Sequence, residues 1–406
     1  MARTFDLVVF GASGFTGRLV AEVLQRRLGS QGGLRWALAG RDAARLARVR
    51  DAIGADPGMP LLTADASDAA AMAKLVRQAR VVITTVGPYQ RYGEALITAC
   101  AQAGTDYVDL CGEPLWMAKM IPQLQPPAQV SGARIVFSCG FDSIPFDLGV
   151  VFLQSEMQRR LGVFAQQVRA RVTVMKGTLS GGTAASALAT FEQIGRERGL
   201  GRLMADPFAL TPGFRGPLQP DGEVAGYDVW AQAWCGPFVM AAINTKNVHR
   251  THALRGHPWG TDFSYDERQQ TGAGKVGELA AKALARQSRV QNLLLGLAPT
   301  RALLRRFALP QPGQGPSRRA QASGRYEVVI TGQAVDGQRL SVRVRGDRDP
   351  GYGSTSKMIS ESALCLLQDI DRGATPGGVW TPGAAMGLAL TRRLQAHAGV
   401  SFDVLV

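Results

Sequence analysis

The sequence predicts an α/β fold: a doubly wound parallel sheet followed by a second α+β domain containing a mostly antiparallel sheet. Strand and helix signals alternate through the first 150 residues, as they do where helices cover both faces of parallel strands. After Gly149 the apolar runs give way to segments alternating apolar with basic residues, the pattern of a sheet with one wet face. The chain has 406 residues, 46% of them hydrophobic and 19% charged, which is enough for two domains with full cores and argues against disorder.

Residues 6–10 (DLVVF) form a short apolar run ended by glycine, a buried parallel strand. A helix follows over 14–28. Residues 36–39 are a second strand, and a helix over 42–53 has Asp42 as its N-cap. Strands at 61–64, 81–85, 107–110 and 134–138 alternate with helices at 69–78 and 92–103. In the second half, 166–176 (QQVRARVTVMK), 228–234 and 238–244 read as strands. Residues 325–346 read as a hairpin across Asp336-Gly337, a favoured turn pair. Gly/Pro-rich stretches at 211–226 and 310–317 predict surface loops, and helices are expected over 355–371 and 382–396.

The first strand opens onto Gly11-Ala-Ser13-Gly14-Phe15-Thr16-Gly17 and then a helix. In that context a glycine-rich turn grips a diphosphate, which identifies a Rossmann-type dinucleotide-binding domain. Gly11 permits the tight turn, Gly14 lets the backbone approach the phosphates, and Gly17 lets helix pack closely on strand. Ser13 and Thr16 offer hydroxyl donors, and the helix N-terminus offers free N–H groups. An NAD-specific site ends its second strand with Asp or Glu, which binds the ribose 2′-hydroxyl. This chain has Ala39-Gly40-Arg41 there, and a guanidinium suits a 2′-phosphate, so NADP(H) is expected. Arg45 stands one turn on. Asp65 falls where an adenine edge binds, and Gly87-Pro88-Tyr89 falls where the nicotinamide half lies.

Five scattered cysteines without a C-x-x-C pair predict neither a disulfide framework nor a zinc site, and suit a reducing, cytoplasmic setting. His249, His252 and His257 lack a nearby carboxylate or cysteine partner, so no metal is expected. The N-terminus shows no basic leader or cleavage site, and no apolar run approaches the ~18–20 residues that span a bilayer.

Taken together, GASGFTG at 11–17, AGR at 39–41, VGPYQRYGEALITACAQAGTDYVDLCGE at 86–113 and GFDSIPFDLG at 140–149 resemble the saccharopine dehydrogenase-like oxidoreductases. SGGT at 180–183, DPGYGSTSKMISE at 349–361 and GGVWTPGAAMG at 377–387 extend the likeness over almost the whole chain, toward the bacterial trans-acting enoyl reductase branch of polyketide-lipid biosynthesis. The resemblance implies an NADP-binding domain at 1–150, an inserted substrate or interaction domain at 151–350 and a C-terminal helical segment, 351–406, packing back on the first. It also implies that residues 87–89, 112–113 and 140–143 line the nicotinamide end.

Hydride comes from the cofactor, so the chain's own task is to position a substrate and manage one proton. Candidate donors are Tyr89, Tyr92, Cys111 and Asp142, with Tyr89 first because it follows the Gly-Pro turn at a strand's end. A tyrosine stacked beside the nicotinamide or packed in a core fits Tyr89 at least as well, and a small buried filler fits Cys111 better than a catalytic thiol. The Ser180–Thr183 loop reads equally as a carbonyl-holding helix N-terminus and as a plain glycine turn. The expected activity is NADPH-dependent reduction of a hydrophobic acyl substrate, such as an enoyl thioester on a carrier protein. A saccharopine-type amino-acid dehydrogenase and a non-catalytic dinucleotide-binding protein at lipid surfaces are the rivals.

The net charge is +14, and residues 151–350 carry 27 Lys or Arg against 15 Asp or Glu. Between Glu278 and Glu327 there is no acidic residue and nine are basic. Over 279–326 leucines and valines intersperse with Arg286, Arg289, Arg301, Arg305 and Arg306, resembling an amphipathic interfacial element broken at Pro299. An anionic membrane at the inner face of the plasma membrane, an acidic carrier domain and the protein's own core compete for it. Nucleic acid is not expected, since no binding module is present and aromatics are sparse in this stretch. Homo-oligomerisation stays open.

Overall fold

The computed structural model describes residues 3–29, 33–177, 181–307 and 315–405. Ser180, Leu309 and most of the expected loop at 310–317 lie outside the described residues, as do the side chains of Leu303, Leu304, Arg305, Arg306 and Phe307. Its strands are β1 (Phe5–Phe10), β2 (Trp36–Gly40), β3 (Leu61–Thr63), β4 (Ala79–Thr84), β5 (Asp106–Val108), β6 (Arg134–Val136), β7 (Gln167–Lys176), β8 (Gly226–Asp228), β9 (Ala233–Pro237), β10 (Ser264–Gly272), β11 (Arg325–Gln333), β12 (Arg339–Gly346), β13 (Gly378–Trp380) and β14 (Val400–Leu405).

The first sheet has the order β13-β6-β5-β4-β1-β2-β3 and is parallel throughout. This is the doubly wound arrangement expected from the alternating elements, and β1 is buried along its whole length, as an uninterrupted apolar run requires. The strand order reverses between β1 and β4, which opens a crevice at the carboxyl ends where ligands collect.

The second sheet runs β14-β12-β11-β7-β10-β9-β8, antiparallel except for the parallel pair of β7 and β10. The hairpin of β11 and β12 turns through Gly337 at φ 88°. Helix Ile144–Leu161 joins the sheets by crossing onto β11, so closely that a side chain at Gly149 would meet Ile330 at 2.4 Å. The final residues serve both layers: helix Thr355–Gln368 covers β4 and β5, β13 extends the first sheet, and β14 closes the edge of the second.

Two expected strands are corrected. Residues 228–234 are broken, because Asp228 accepts the N–H of Trp230 at 2.8 Å and starts a turn between β8 and β9. Residues 238–244 lead into helix Ala241–Leu254, which is buried on nearly every side, so its apolar opening imitates a strand. The break expected at Pro299 falls at Leu297 instead, between helices Gly274–Gly296 and Ala298–Phe307; Pro299 sits in the first turn of the second, where its missing N–H costs nothing.

One buried ion pair ties the far side of the first sheet. Asp106 on β5 accepts from Nε and Nη2 of Arg134 on β6 at 3.0 and 2.5 Å, and Arg134 also donates to the carbonyls of Leu366 and Ile370. Arg372 reaches the same carboxylate from the surface at 2.9 Å. Arg134→Ala should cost about 3 kcal/mol in urea unfolding, because it strands a buried carboxylate, whereas Arg372→Ala should cost less than about 1 kcal/mol. Equal costs would show that the buried pair carries no special weight.

Candidate active site

The turn after β1 is built around missing side chains. Gly11 has φ 85°, a left-handed conformation that favours glycine, and its N–H is held by the Ala39 carbonyl of β2 at 2.9 Å. Its own carbonyl accepts the Gly14 N–H at 2.9 Å and lies where a Cβ on Gly17 would come within 2.1 Å. Helix Phe15–Leu28 therefore starts hard against the strand end. No side chain caps it, although Asp42 caps helix Ala43–Ala52 and Asp68 caps helix Ala69–Arg77. Its first N–H groups are thus left for an anion, and the half-exposed Ser13, Gly14, Phe15 and Thr16 form the rim.

At the end of β2, Gly40 leaves the Ser13 hydroxyl 3.5 Å from where its Cβ would stand. Arg41 is exposed beside this point and makes no hydrogen bond or ion pair with a described residue. Asp42 turns its carboxylate to the Arg45 N–H at 3.0 Å, as an N-cap, and so away from the Arg41 position. Arg45 reaches the Ser13 carbonyl at 3.4 Å. Asp65, past β3, accepts from the Ser67 N–H and hydroxyl; these bonds, with the Arg41 charge nearby, hold its carboxyl below the usual range. A free guanidinium, an uncapped helix start and a glycine cradle fit a dinucleotide carrying a 2′-phosphate.

The end of the crevice expected to receive the nicotinamide is assembled from the ends of β4, β5 and β6. Gly87 and Pro88, joined by a cis peptide, follow β4, with Gly87 exposed. Glu113 is buried and accepts the N–H groups of Tyr89 and Gln90 at 2.8 and 2.9 Å and the Ser186 hydroxyl at 2.6 Å. Asp109 accepts from Cys111 and Ser138 N–H and from the Tyr107 hydroxyl, and burial pushes it up to about 7. Neither carboxylate belongs to the set picked out from sequence by its chemistry. Both brace the loops on which the site is carried.

Tyr89, first among the expected proton donors, takes the alternative role of a packed tyrosine. Its hydroxyl accepts the Leu110 N–H at 3.0 Å and donates to the Thr84 carbonyl at 3.3 Å, and its ring stacks on Trp116. Burial pushes the phenol well above its ordinary range, and both its hydrogen bonds run to backbone groups of the protein, so it holds the β4 and β5 loops together. Cys111 is buried and its thiol is pushed far up as well. Tyr92 is 45% exposed. Asp142 is different: it lies partly open after β6, its carboxylate 3.5 Å from where a Cβ on Gly112 would stand, with no hydrogen bond to a described residue. Burial pushes its carboxyl up to about 6.

The second domain reaches this end through two contacts, one of them fully buried. Ser186 of helix Gly181–Arg196 binds Glu113, and Ser143, next to Asp142, accepts from Asn247 at 2.5 Å within helix Ala241–Leu254. Asn244 donates onward to Glu267 on β10, which Tyr265 also binds. Among the described residues no three His, Cys, Asp or Glu side chains converge as metal ligands. His252 stacks on Trp259 in an aromatic cluster with His257 and Phe263, and burial pushes His249 to about 3 and His252 to about 4.

Comparison with known proteins agrees with this geometry. Residues 7–136 match the saccharopine dehydrogenase NADP-binding domain. A Mycobacterium tuberculosis protein with a provisional trans-acting enoyl reductase name is 39% identical over 99% of this chain and 97% of the relative. The trans-acting enoyl reductase of Mycobacterium ulcerans is 37% identical over 97% of this chain and 96% of its own length. Saccharopine dehydrogenase (L-Glu forming) of Saccharomyces cerevisiae shares the fold, with a TM-score of 0.55 and 12% identity over 99% of this chain and all of that one. The chain belongs to the trans-acting enoyl reductase family of saccharopine dehydrogenase-like proteins and is an NADP(H)-dependent oxidoreductase.

Proposed function

We propose that the chain reduces a carbon–carbon double bond in a hydrophobic acyl substrate, an enoyl thioester or enoyl lipid. The observation that carries this reading is the helix that binds Glu113 through Ser186. From Gly181 to Phe191 helix Gly181–Arg196 is GGTAASALATF, half-buried, without a charged residue before Glu192. A saccharopine-type substrate bears several carboxylates and needs an Arg-rich cleft, whereas an acyl chain needs small, uncharged walls. Carrier-bound delivery of the acyl group is part of the proposal, as is a peripheral position at the inner face of the plasma membrane. No helix among the described residues is long and apolar enough to cross a membrane.

The residues at 11–17 and Arg41 would hold NADPH, which supplies the hydride when bound. Asp142 is the proton-managing group: its carboxyl delivers a proton to the α carbon while the β carbon is reduced. A carboxyl kept partly protonated near neutral pH by burial suits that task. Glu113 and Asp109 keep the loops in place, and Tyr89 seals the floor between them.

Purified chain should oxidise NADPH with an enoyl acyl thioester and not with lysine plus 2-oxoglutarate; the reverse preference would overturn the substrate class. Asp142→Asn should lower kcat about a hundredfold or more. Since the protonated form acts, wild-type kcat/KM should fall as pH rises through about 6, and the variant should lose that limb. A variant with wild-type rate and an unchanged profile would exclude Asp142. Arg41→Asp should weaken NADPH binding about 30-fold while barely changing NADH binding, measured by calorimetry. Equal losses for the two nucleotides would remove the 2′-phosphate from Arg41.

A further inference from the structure

Helix Gly274–Gly296 packs the wrong way round for a helix that covers a core. Its inward side is mostly small: Gly277, Ala281 and Ala285 are buried, with Leu295 near the end, and a Cβ on Gly277 would meet the Gly272 carbonyl at 2.1 Å. These residues let the helix sit tightly on β9, where Gly236 has room for no side chain against Leu284. Leu284 and Leu295 turn inward with them, but most of the large apolar residues face away. Val276 is 81% exposed, Leu279 58% and Leu293 64%, and Val290, Leu294 and Leu297 are exposed with them. By the helical period these six project from the side opposite Gly277, Ala281 and Ala285. An ordinary surface helix does the reverse.

The charges are placed to match. Lys275, Lys282, Arg286 and Arg289 run along one flank of the apolar stripe. Glu278, partly buried, pairs with Lys275 at 3.1 Å and Lys282 at 2.5 Å and is the last acidic residue before Glu327. Arg286 and Arg289 make no ion pair with a described residue. The helix end is closed without another chain: Arg301 donates to the carbonyls of Leu295 and Gly296, and Thr300 to those of Leu294 and Leu297.

From this arrangement we infer that helix Gly274–Gly296 lies in the plane of an anionic lipid surface, with Val276, Leu279, Val290, Leu293, Leu294 and Leu297 immersed and the flanking cations on headgroup phosphates. An outward apolar stripe edged by cations, of which Arg286 and Arg289 make no ion pair with a described residue, is what an interfacial helix needs. A second copy of the chain fits poorly, because a two-fold contact would set Arg286 and Arg289 against their own counterparts on molecules of net charge +14. The same helix packs on helix Gly181–Arg196, whose Ser186 binds Glu113, so the lipid-facing surface stands one helix away from the substrate wall. A substrate dissolved in the lipid would have a short route to the cleft. The inference deepens the proposed acyl-substrate reading, yet its test does not require turnover.

The full chain should sediment with vesicles of phosphatidylglycerol and phosphatidylcholine, bind phosphatidylcholine vesicles far less, and release as salt rises. Leu279→Glu with Leu293→Glu should weaken binding about tenfold or more, and Arg286→Glu with Arg289→Glu by a comparable factor. Val335→Glu, which alters another exposed apolar residue on the hairpin of β11 and β12, should leave binding unchanged. Unaltered melting and NADPH affinity show that the variants fold, and turnover of a short, water-soluble enoyl thioester by all of them keeps this result separate from the reading of the active site. No binding to anionic vesicles, binding insensitive to the stripe variants, or a concentration-dependent dimer that Leu279→Glu with Leu293→Glu dissolves would overturn the inference.

Discussion

The carbonyl oxygen of Gly11 sets how the rest of the molecule can be arranged around a nucleotide. It bonds the Gly14 N–H and occupies the space of a side chain on Gly17, so the helix that follows begins in contact with the strand end. That contact aims an uncapped helix N-terminus into the crevice between β1 and β4, where the strand order reverses. Any residue larger than glycine at position 17 would lift the helix from the sheet and turn its N–H groups away from the phosphates. The placement of Arg41, Asp65 and the β4–β6 loops matters chemically only because this first contact puts the diphosphate between them.

From that anchor the site grows outward through buried carboxylates. Asp109 joins the ends of β5 and β6, and Glu113 joins the end of β4 to the inserted domain through Ser186. Each satisfies several N–H or O–H donors that would otherwise be buried unpaired, which is the condition for keeping a carboxylate inside a protein. Asp142 stands beside them with no such partner among the described residues and so has its acid form favoured by burial. Carboxylates within one short stretch of fold are thereby divided between those that hold loops and the one that the proposed reaction uses to manage a proton, and the division follows from their hydrogen bonds.

Much of the first sheet was legible in the sequence because each parallel strand is followed at once by its helix, so the pattern repeats locally. The Gly11–Gly17 turn and the Asp42 cap could be placed for the same reason. Three-residue β13 could not, since Gly378-Val379-Trp380 carries no period of its own and is a strand through pairing with β6. Helix Ala241–Leu254 misled because it is buried on nearly every side, so Asn244, Asn247, His249 and His252 hide the usual polar face. Tyr89 was placed correctly on the chain after β4, but which way its hydroxyl points depends on Leu110 and Thr84, contacts that no local pattern reveals. In helix Gly274–Gly296 the basic, amphipathic character was readable, whereas the direction in which its apolar side faces required the packing of Gly277 and Ala281 on the second sheet.

These features stand on the binding of a 2′-phosphorylated dinucleotide at the end of β1. The direct measurement is a crystal structure of the chain grown with NADPH. The diphosphate should lie on the N–H groups that open helix Phe15–Leu28, the 2′-phosphate against Arg41, and the nicotinamide ring among Gly87, Gly112 and Asp142. A nucleotide bound elsewhere on the molecule, or seated with its 2′-phosphate turned away from Arg41, would contradict the account.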